Sequence, residues 1–197
     1  GYYYRRYSVV NGLAQAVHHT ILPLARGRDK RCQVRWGIAS FQHRFGYRPD
    51  GIWLPEMAVD YETLEAVAES GLWFVILSDE QVQGDLSQGA GPYKVRLSRN
   101  RFITIFVRNR SLSNAFSFNM PAAKDAREWI NGTLRNSPPG SLTLLATDGE
   151  TFGHHHKQGI EVLHALITPT LHDSYEITTC LLYTSDAADD MQCVDLG

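Results

Sequence analysis

Cysteine is scarce in this chain: three occur in 197 residues, and two of them, Cys180 and Cys193, lie at or beyond position 180. Cys32 therefore has no disulfide partner in the first 179 residues, which excludes a disulfide-stapled scaffold and fits a reducing, cytoplasmic setting. Long hydrophobic runs are also missing. No stretch approaches the ~20 apolar residues of a membrane helix. Nor is there an excess of charge of either sign, since 19 basic residues face 21 acidic ones, for a net of −2. Four of the aspartates fall after position 179, where no lysine or arginine stands, so the first 179 residues carry a net of +2. The only basic run is Arg26 to Arg31, and this balance gives no reason to expect nucleic acid or an anionic membrane as a partner. A neutral polymer suits it. Internal repeats and low-complexity linkers are absent, and the chain opens without methionine at Gly1-Tyr2-Tyr3.

What the chain does have is two apolar runs that stop at carboxylates. Gly51-Ile52-Trp53-Leu54-Pro55-Glu56 reads as a buried strand that Pro55 ends, because proline cannot donate to a continuing ladder. Ser141 to Thr147 reads as a second strand, followed directly by Asp148-Gly149-Glu150-Thr151-Phe152-Gly153-His154-His155-His156. In α/β folds the C-terminal ends of strands are where loops gather catalytic groups. Glu56 taken alone could be a solvated residue near the start of the next helix. Two carboxylates at one sheet edge are instead what glycosidic cleavage needs, one to attack or stabilise the oxocarbenium-like centre and one to protonate the leaving oxygen.

The rest of the chain supplies a scaffold. Residues 8 to 17 read as a short helix that leads into the extended His18-His19-Thr20-Ile21-Leu22-Pro23-Leu24. Lys30 to Phe45 has Val34, Ile38, Phe41 and Phe45 on one helical face and Gly46 as its stop. Tyr61, Leu64, Val67 and Ala68 mark a helix ended by Gly71, and Leu72 to Leu77 is another buried strand. Residues 79 to 93 read as a loop over the strand mouths, and Tyr93–Leu97 with Phe102–Val107 read as a hairpin or as a strand plus a core strand. Helices follow over 125–134, with Ala126, Trp129, Ile130 and Leu134 as its face, and past residue 159, with Ile160, Leu163, His164 and Ile167. Repeated αβ units with continuous apolar strands predict an α/β fold with a mainly parallel sheet.

The segments 51–56 and 148–155 resemble two signature regions of glycoside hydrolase family 57, whose members act on α-glucans, and Leu64 to Gln81 is similar to the same family. The likeness spans roughly residues 10 to 170. It implies a partial, distorted (β/α)7 barrel over residues 1–179, part of a larger enzyme that as it stands shows little turnover. It also implies a retaining mechanism with Glu56 as nucleophile and Asp148 as acid/base, their carboxyls ~5–5.5 Å apart. His19, before Ile-Leu-Pro-Leu, and His154, after Phe-Gly, match histidines that lie by the sugar. Trp53, the tryptophan nearest Glu56, could stack on a sugar face, although Trp53, Trp73 and Trp129 all sit in core-like patterns. Glu150 is a substrate-binding or supporting residue. The implied partner is an α-glucan or maltooligosaccharide, with no cofactor and no metal. Where the family often carries aspartates, this chain has Asn109 and Asn114. Residues 180–197 have no counterpart in the family, and their first part looks like one reading frame of a transposon-end sequencing adapter, so they are expected to be a non-native and poorly packed tail.

Two rival readings stand beside this one. Histidines 154–156 close to Asp148 and Glu150 offer ligand chemistry for zinc, as a metal-dependent carbohydrate deacetylase would use. Three consecutive histidines cannot all face one ion from regular structure, however, and no distant His-x-x-x-His pair completes a shell. The other rival is a non-catalytic carbohydrate-binding remnant that kept the fold.

Overall fold

The computed structural model describes residues 11–87, 89–168, 175–178 and 191–197. The chain divides into two compact units, Gly1–Val107 with Thr179–Gly197, and Arg108–Thr178. Each is described in its own frame.

The first unit is built on αβ steps. Its first strand, β1, is Ala14–Gln15. Helix α1, Gly27–Phe45, buries Val34, Ile38 and Phe41 and ends on Gly46, whose φ of 77° is the left-handed cap that glycine adopts without a Cβ clash. Strand β2, Gly51–Trp53, leads into helix α2, Tyr61–Glu69, whose N-cap Asp60 accepts a hydrogen bond from the Thr63 amide. Strand β3, Phe74–Ser78, is buried throughout. Then come β4, Val82–Gln83, and the antiparallel pair β5, Tyr93–Arg96, and β6, Phe102–Arg108, which is the expected hairpin.

These strands join one sheet in the order β1-β2-β3-β6-β5-β7-β4, where β7 is Gln192–Leu196. The run β1-β2-β3 is parallel, with Gln15 opposite Trp53 and Ile52 opposite Val75. Strand β7 runs parallel to β5 and antiparallel to β4. Among the described residues the sheet is open, with β1 and β4 at its edges. This is an α/β fold with a mainly parallel sheet, as the sequence predicts. Its core runs from Ala14 and Leu22 through Ile52, Leu64, Val75 and Leu77 to Tyr93, Ile105 and Val194.

The second unit packs helices α3, Arg110–Phe118, α4, Ala126–Leu134, and α5, Gly159–Ile167, around Leu112, Phe116, Ala126, Ile130, Val162 and Leu166. Phe116 meets Trp129 edge-on at 5.0 Å.

Several expectations need correction. Ala14–Gln15 is a strand where a helix is expected, because pairing with β2 and cover from α1 outweigh the helix preference of alanine. Residues 8 to 10 of that expected helix lie outside the described residues. Phe45 is exposed and leans on Phe41 at 4.6 Å. Trp73 is 38% exposed, just ahead of β3, and so is not core. In α5 the buried positions are Gly159, Val162 and Leu166, while Ile160 and Ile167 face solvent; apolar residues surround this helix, so spacing does not select a face. Residues 141–147 are half-buried and form no continuous strand: they carry isolated bridge positions at Leu142 and Leu144, the latter paired with Arg108. The last residues are not poorly packed, since Gln192–Leu196 is paired on both sides and Val194 is in the core. Residues 179–190 lie outside the described residues.

Candidate active site

Strands β1, β2 and β3 run parallel, so their C-terminal ends emerge along one edge, and the segments that follow them carry the candidate groups. After β2, Leu54 continues extended and Pro55 opens a tight turn over Pro55–Met57. Inside it Glu56 has φ 54° and Met57 has φ 52°, two consecutive non-glycine residues in the left-handed region. The turn is closed by Met57 N to Leu54 O at 2.9 Å and Ala58 N to Pro55 O at 3.0 Å. This backbone swings the Glu56 side chain off the strand axis into solvent, where it is 68% exposed.

There it meets the segment after β1. His19 Nε2 lies 2.8 Å from Glu56 Oε1, so one carboxylate oxygen is engaged by the imidazole. The histidine segment is itself pinned from α1: Val17 N donates to Gln33 O, His18 N to Gln33 Oε1 at 3.0 Å, and Gln33 Nε2 approaches His18 Nδ1 at 3.3 Å. Trp53, the last residue of β2, is half-buried three positions before Glu56. Of the sequence-predicted residues, then, the first unit brings His19 and Glu56 into contact, with Trp53 on the strand that delivers the glutamate.

A third segment, the start of the loop expected over the strand mouths, follows β3. The Gln81 side chain accepts from Ser78 N at 2.9 Å and donates from Nε2 to Met57 O at 2.7 Å. It ties the end of β3 to the turn that holds Glu56. The Ser78-x-x-Gln81 pattern directly after an apolar run is a capping-box signature and was legible as such. What it reaches across the sheet edge was not.

Behind the turn, Lys30 of α1 is only 1% exposed and contacts Asp60 at 2.7 Å and Glu62 at 2.9 Å. Burial works against the ammonium charge, but hydrogen bonds and attraction from Asp60 and Glu62 outweigh it and hold the Lys30 pKa above its usual value. Burial likewise disfavours the Asp60 carboxylate, yet hydrogen bonds from Lys30 and Thr63 hold its pKa below the usual range.

In the second unit Asp148 precedes the turn Gly149–Thr151 and is exposed. Its carbonyl accepts from Thr151 N at 3.1 Å. A chain of hydroxyls backs the segment: Ser117 Oγ to Thr147 Oγ1 at 2.6 Å, and Thr147 Oγ1 to Thr151 Oγ1 at 3.0 Å, with Thr151 buried. Glu150 is exposed, 3.7 Å from His155 Nε2, and its carbonyl accepts from the His154 and His155 amides. The exposed His154 ring lies edge-on to His155. His156 instead turns inward, with Nε2 2.8 Å from Ser117 O. Asn109, where the family often has aspartate, accepts from Leu112 N as the N-cap of α3. Among the described residues no group of three or more His, Cys, Asp or Glu side chains is arranged to hold a metal ion. No described helix is long and apolar enough to cross a membrane.

Comparison with known proteins adds the following. The profile of Glycosyl hydrolase family 57 matches residues 9–192. A 1,4-alpha-glucan branching enzyme of Thermococcus kodakarensis is 45% identical over 51 residues, a stretch that covers 25% of this chain and 7% of that enzyme. Among solved structures, an alpha-amylase from Thermotoga maritima superposes with a TM-score of 0.78 at 12% identity, over 98% of this chain and 52% of that one. A 4-alpha-glucanotransferase from Thermococcus litoralis gives 0.72 at 20% identity, over 94% of this chain and 30% of that one. The chain thus spans about half of the first structure and under a third of the second, and these likenesses establish the fold.

Proposed function

The chain belongs to glycosyl hydrolase family 57, and on that premise we propose that it carries the two catalytic carboxylates of an α-glucan-active enzyme, Glu56 as nucleophile and Asp148 as acid/base. The observation that carries this reading is Glu56 itself: a carboxylate at the C-terminal end of a parallel strand, in a left-handed backbone, with one oxygen 2.8 Å from His19 Nε2. Strained non-glycine backbone is kept where the side chain's direction matters.

In the proposed reaction His19 holds Oε1 and leaves Oε2 to attack the anomeric carbon. As that C–O bond forms, the glycosidic C–O bond breaks and protonated Asp148 gives its proton to the departing oxygen. The product is a glycosyl ester of Glu56. Water or a sugar hydroxyl then attacks the anomeric carbon, the Asp148 carboxylate takes its proton, and Glu56 is released with the anomeric configuration retained. Hydrolysis and transfer share this intermediate and differ in the acceptor. Trp53, His154 and Glu150 are the residues we assign to the sugar, and we assign the reaction to the cytoplasm, a reading that the lone Cys32 of the first 179 residues supports.

The test is covalent trapping, which reads a single event per molecule and does not depend on robust turnover. The chain is incubated with 5-fluoro-α-glucosyl fluoride and mapped by peptide mass spectrometry. One glycosyl adduct on the peptide containing Glu56 is expected, absent in Glu56→Gln. Asp148→Asn should still trap this donor, whose fluoride leaves without a proton, but not a maltooligosaccharide. An adduct on Glu150, or none on Glu56, overturns the assigned roles.

A further inference from the structure

Gln81 stands out because its amide is fully committed in one orientation. The Ser78 N–H needs an acceptor and the Met57 carbonyl needs a donor, so Oε1 faces β3 and Nε2 faces the turn, at 2.9 and 2.7 Å. The first bond belongs to the capping box of the short Asp79–Gln81 turn. The second is not needed for that cap. It reaches 24 positions back in the sequence to the residue after Glu56, at the end of the two-residue stretch whose φ angles of 54° and 52° disfavour an ordinary side chain. Turns of this kind persist only when neighbours over-determine them; His19 meets the Glu56 side chain of this one, and Gln81 bonds its backbone from the end of β3.

We propose that Gln81 is a positioning residue: through Met57 O it holds the Glu56–Met57 turn left-handed and so fixes the direction of the Glu56 carboxylate toward His19 and the sugar. This rests on the assignment of Glu56 as nucleophile. Gln81 itself touches no reacting atom. Without that anchor the strained φ angles at Met57 and Glu56 are free to relax toward the ordinary region, which re-aims the Glu56 side chain, and a displacement of about 1 Å in a reacting group lowers rates by as much as ~100-fold.

The capping box supplies the discriminating variant. Glutamate serves the cap as well as glutamine, since either side chain accepts from the N-cap amide. Gln81→Glu therefore keeps the bond from Ser78 N and replaces the donor facing Met57 O with a carboxylate oxygen. Gln81→Leu removes both bonds, so its difference from Gln81→Glu shows what loss of the cap adds. The full chain is used throughout. Backbone carbon shifts and HN–Hα couplings of Glu56 and Met57 report the turn, thermal melting reports the fold, and the trapping rate at saturating donor is separated from the half-saturating concentration.

For Gln81→Glu we expect near-wild-type melting, loss of the left-handed signature at both residues, and a limiting trapping rate lowered about 10- to 100-fold with the half-saturating concentration little changed. A turn signature that persists in both variants overturns the proposal. So does a limiting rate unchanged in Gln81→Glu. If the wild-type chain forms no adduct on Glu56, the nucleophile assignment falls instead, and the backbone signals alone decide whether Gln81 holds the turn.

Discussion

Glu56 and Met57 show what a single residue can hide. Two successive non-glycine residues in the left-handed region carry about 1–2 kcal/mol of strain each, yet Pro-Glu-Met contains none of the glycine or asparagine that signals positive φ. Sequence reading could find the carboxylate at the strand end but not its backbone state, because that state is imposed by partners distant in sequence. Lys30 is a similar case. It stands four residues before Val34, on the continuation of the buried face of α1, and the structure buries it against Asp60 and Glu62. Its partners keep solvent access, so Lys30→Met should destabilise by about 2–3 kcal/mol at pH 7, toward the low end for breaking a buried pair. The pH dependence follows from the two shifts. Asp60, lowered, contributes stability above the ordinary aspartate pKa that is lost as pH falls through its folded value. Lys30, raised, contributes stability below the ordinary lysine pKa that is lost as pH rises through its own. Urea melts at pH 7 and pH 3 should therefore show a smaller gap between wild type and Lys30→Met in acid. An equal gap at both pH values would show that the lysine acts by packing alone.

At the scale of elements, β1 is two residues long and yet delivers His19. What places it is contact with α1, where Gly37 lets the helix press on the strand: a Cβ there would lie 1.8 Å from the Gln15 carbonyl oxygen. Gly37→Ala must push helix and strand apart, and should cost about 1–3 kcal/mol in a urea melt, as overpacking does. It should also slow trapping on Glu56, because the His19 segment moves with β1. Stability within half a kcal/mol of wild type would mean that the two elements yield easily. Elements with a clear period and a clear stop were legible in the sequence: α1 with Gly46, α2 with Gly71, and the β5–β6 hairpin. Elements defined by a partner were not. Ala14–Gln15 has alanine's helix preference and becomes a strand beside β2. Leu142 to Ala146 has strand composition and gains isolated bridges rather than a continuous strand. Helix α3 has no such signal, because its start is a side-chain bond that Asn109 Oδ1 accepts from Leu112 N, in a segment rich in serine and asparagine. The same division holds for the site. Carboxylates at strand ends and a histidine before Ile-Leu-Pro-Leu are visible as letters, whereas Gln33, Gln81 and the Ser117–Thr147–Thr151 hydroxyls matter through what they reach.

For the molecule as a whole, the consequential difference lies at the C-terminus. The composition of residues 180–197 suggests no packed structure, but Gln192–Leu196 fills the sheet between β5 and β4. Val194 sits opposite Val95, 4% exposed, and belongs to the core. Tyr61 OH stands 3.3 Å from Asp195 Oδ1 and accepts from Leu196 N at the same distance, which links the strand to α2. Removing such a strand uncovers the ladder edges of β5 and β4 and exposes the apolar faces of Val95 and Val82, leaving an unpaired edge of the kind proteins avoid. Burial of one valine accounts for about 1.5 kcal/mol or more, and the lost pairing adds to it. Truncation after Thr179 should therefore lower stability by about 2–4 kcal/mol, well beyond the half kcal/mol typical of a surface change. Val194→Asp in the 197-residue chain separates the strand from the residues before it: charge placed in the core should reproduce most of the loss with no chain removed. Equal denaturation midpoints for the truncated and the 197-residue chains would show that the sheet closes its core without β7, and that residues beyond 179 add nothing to the fold that presents Glu56.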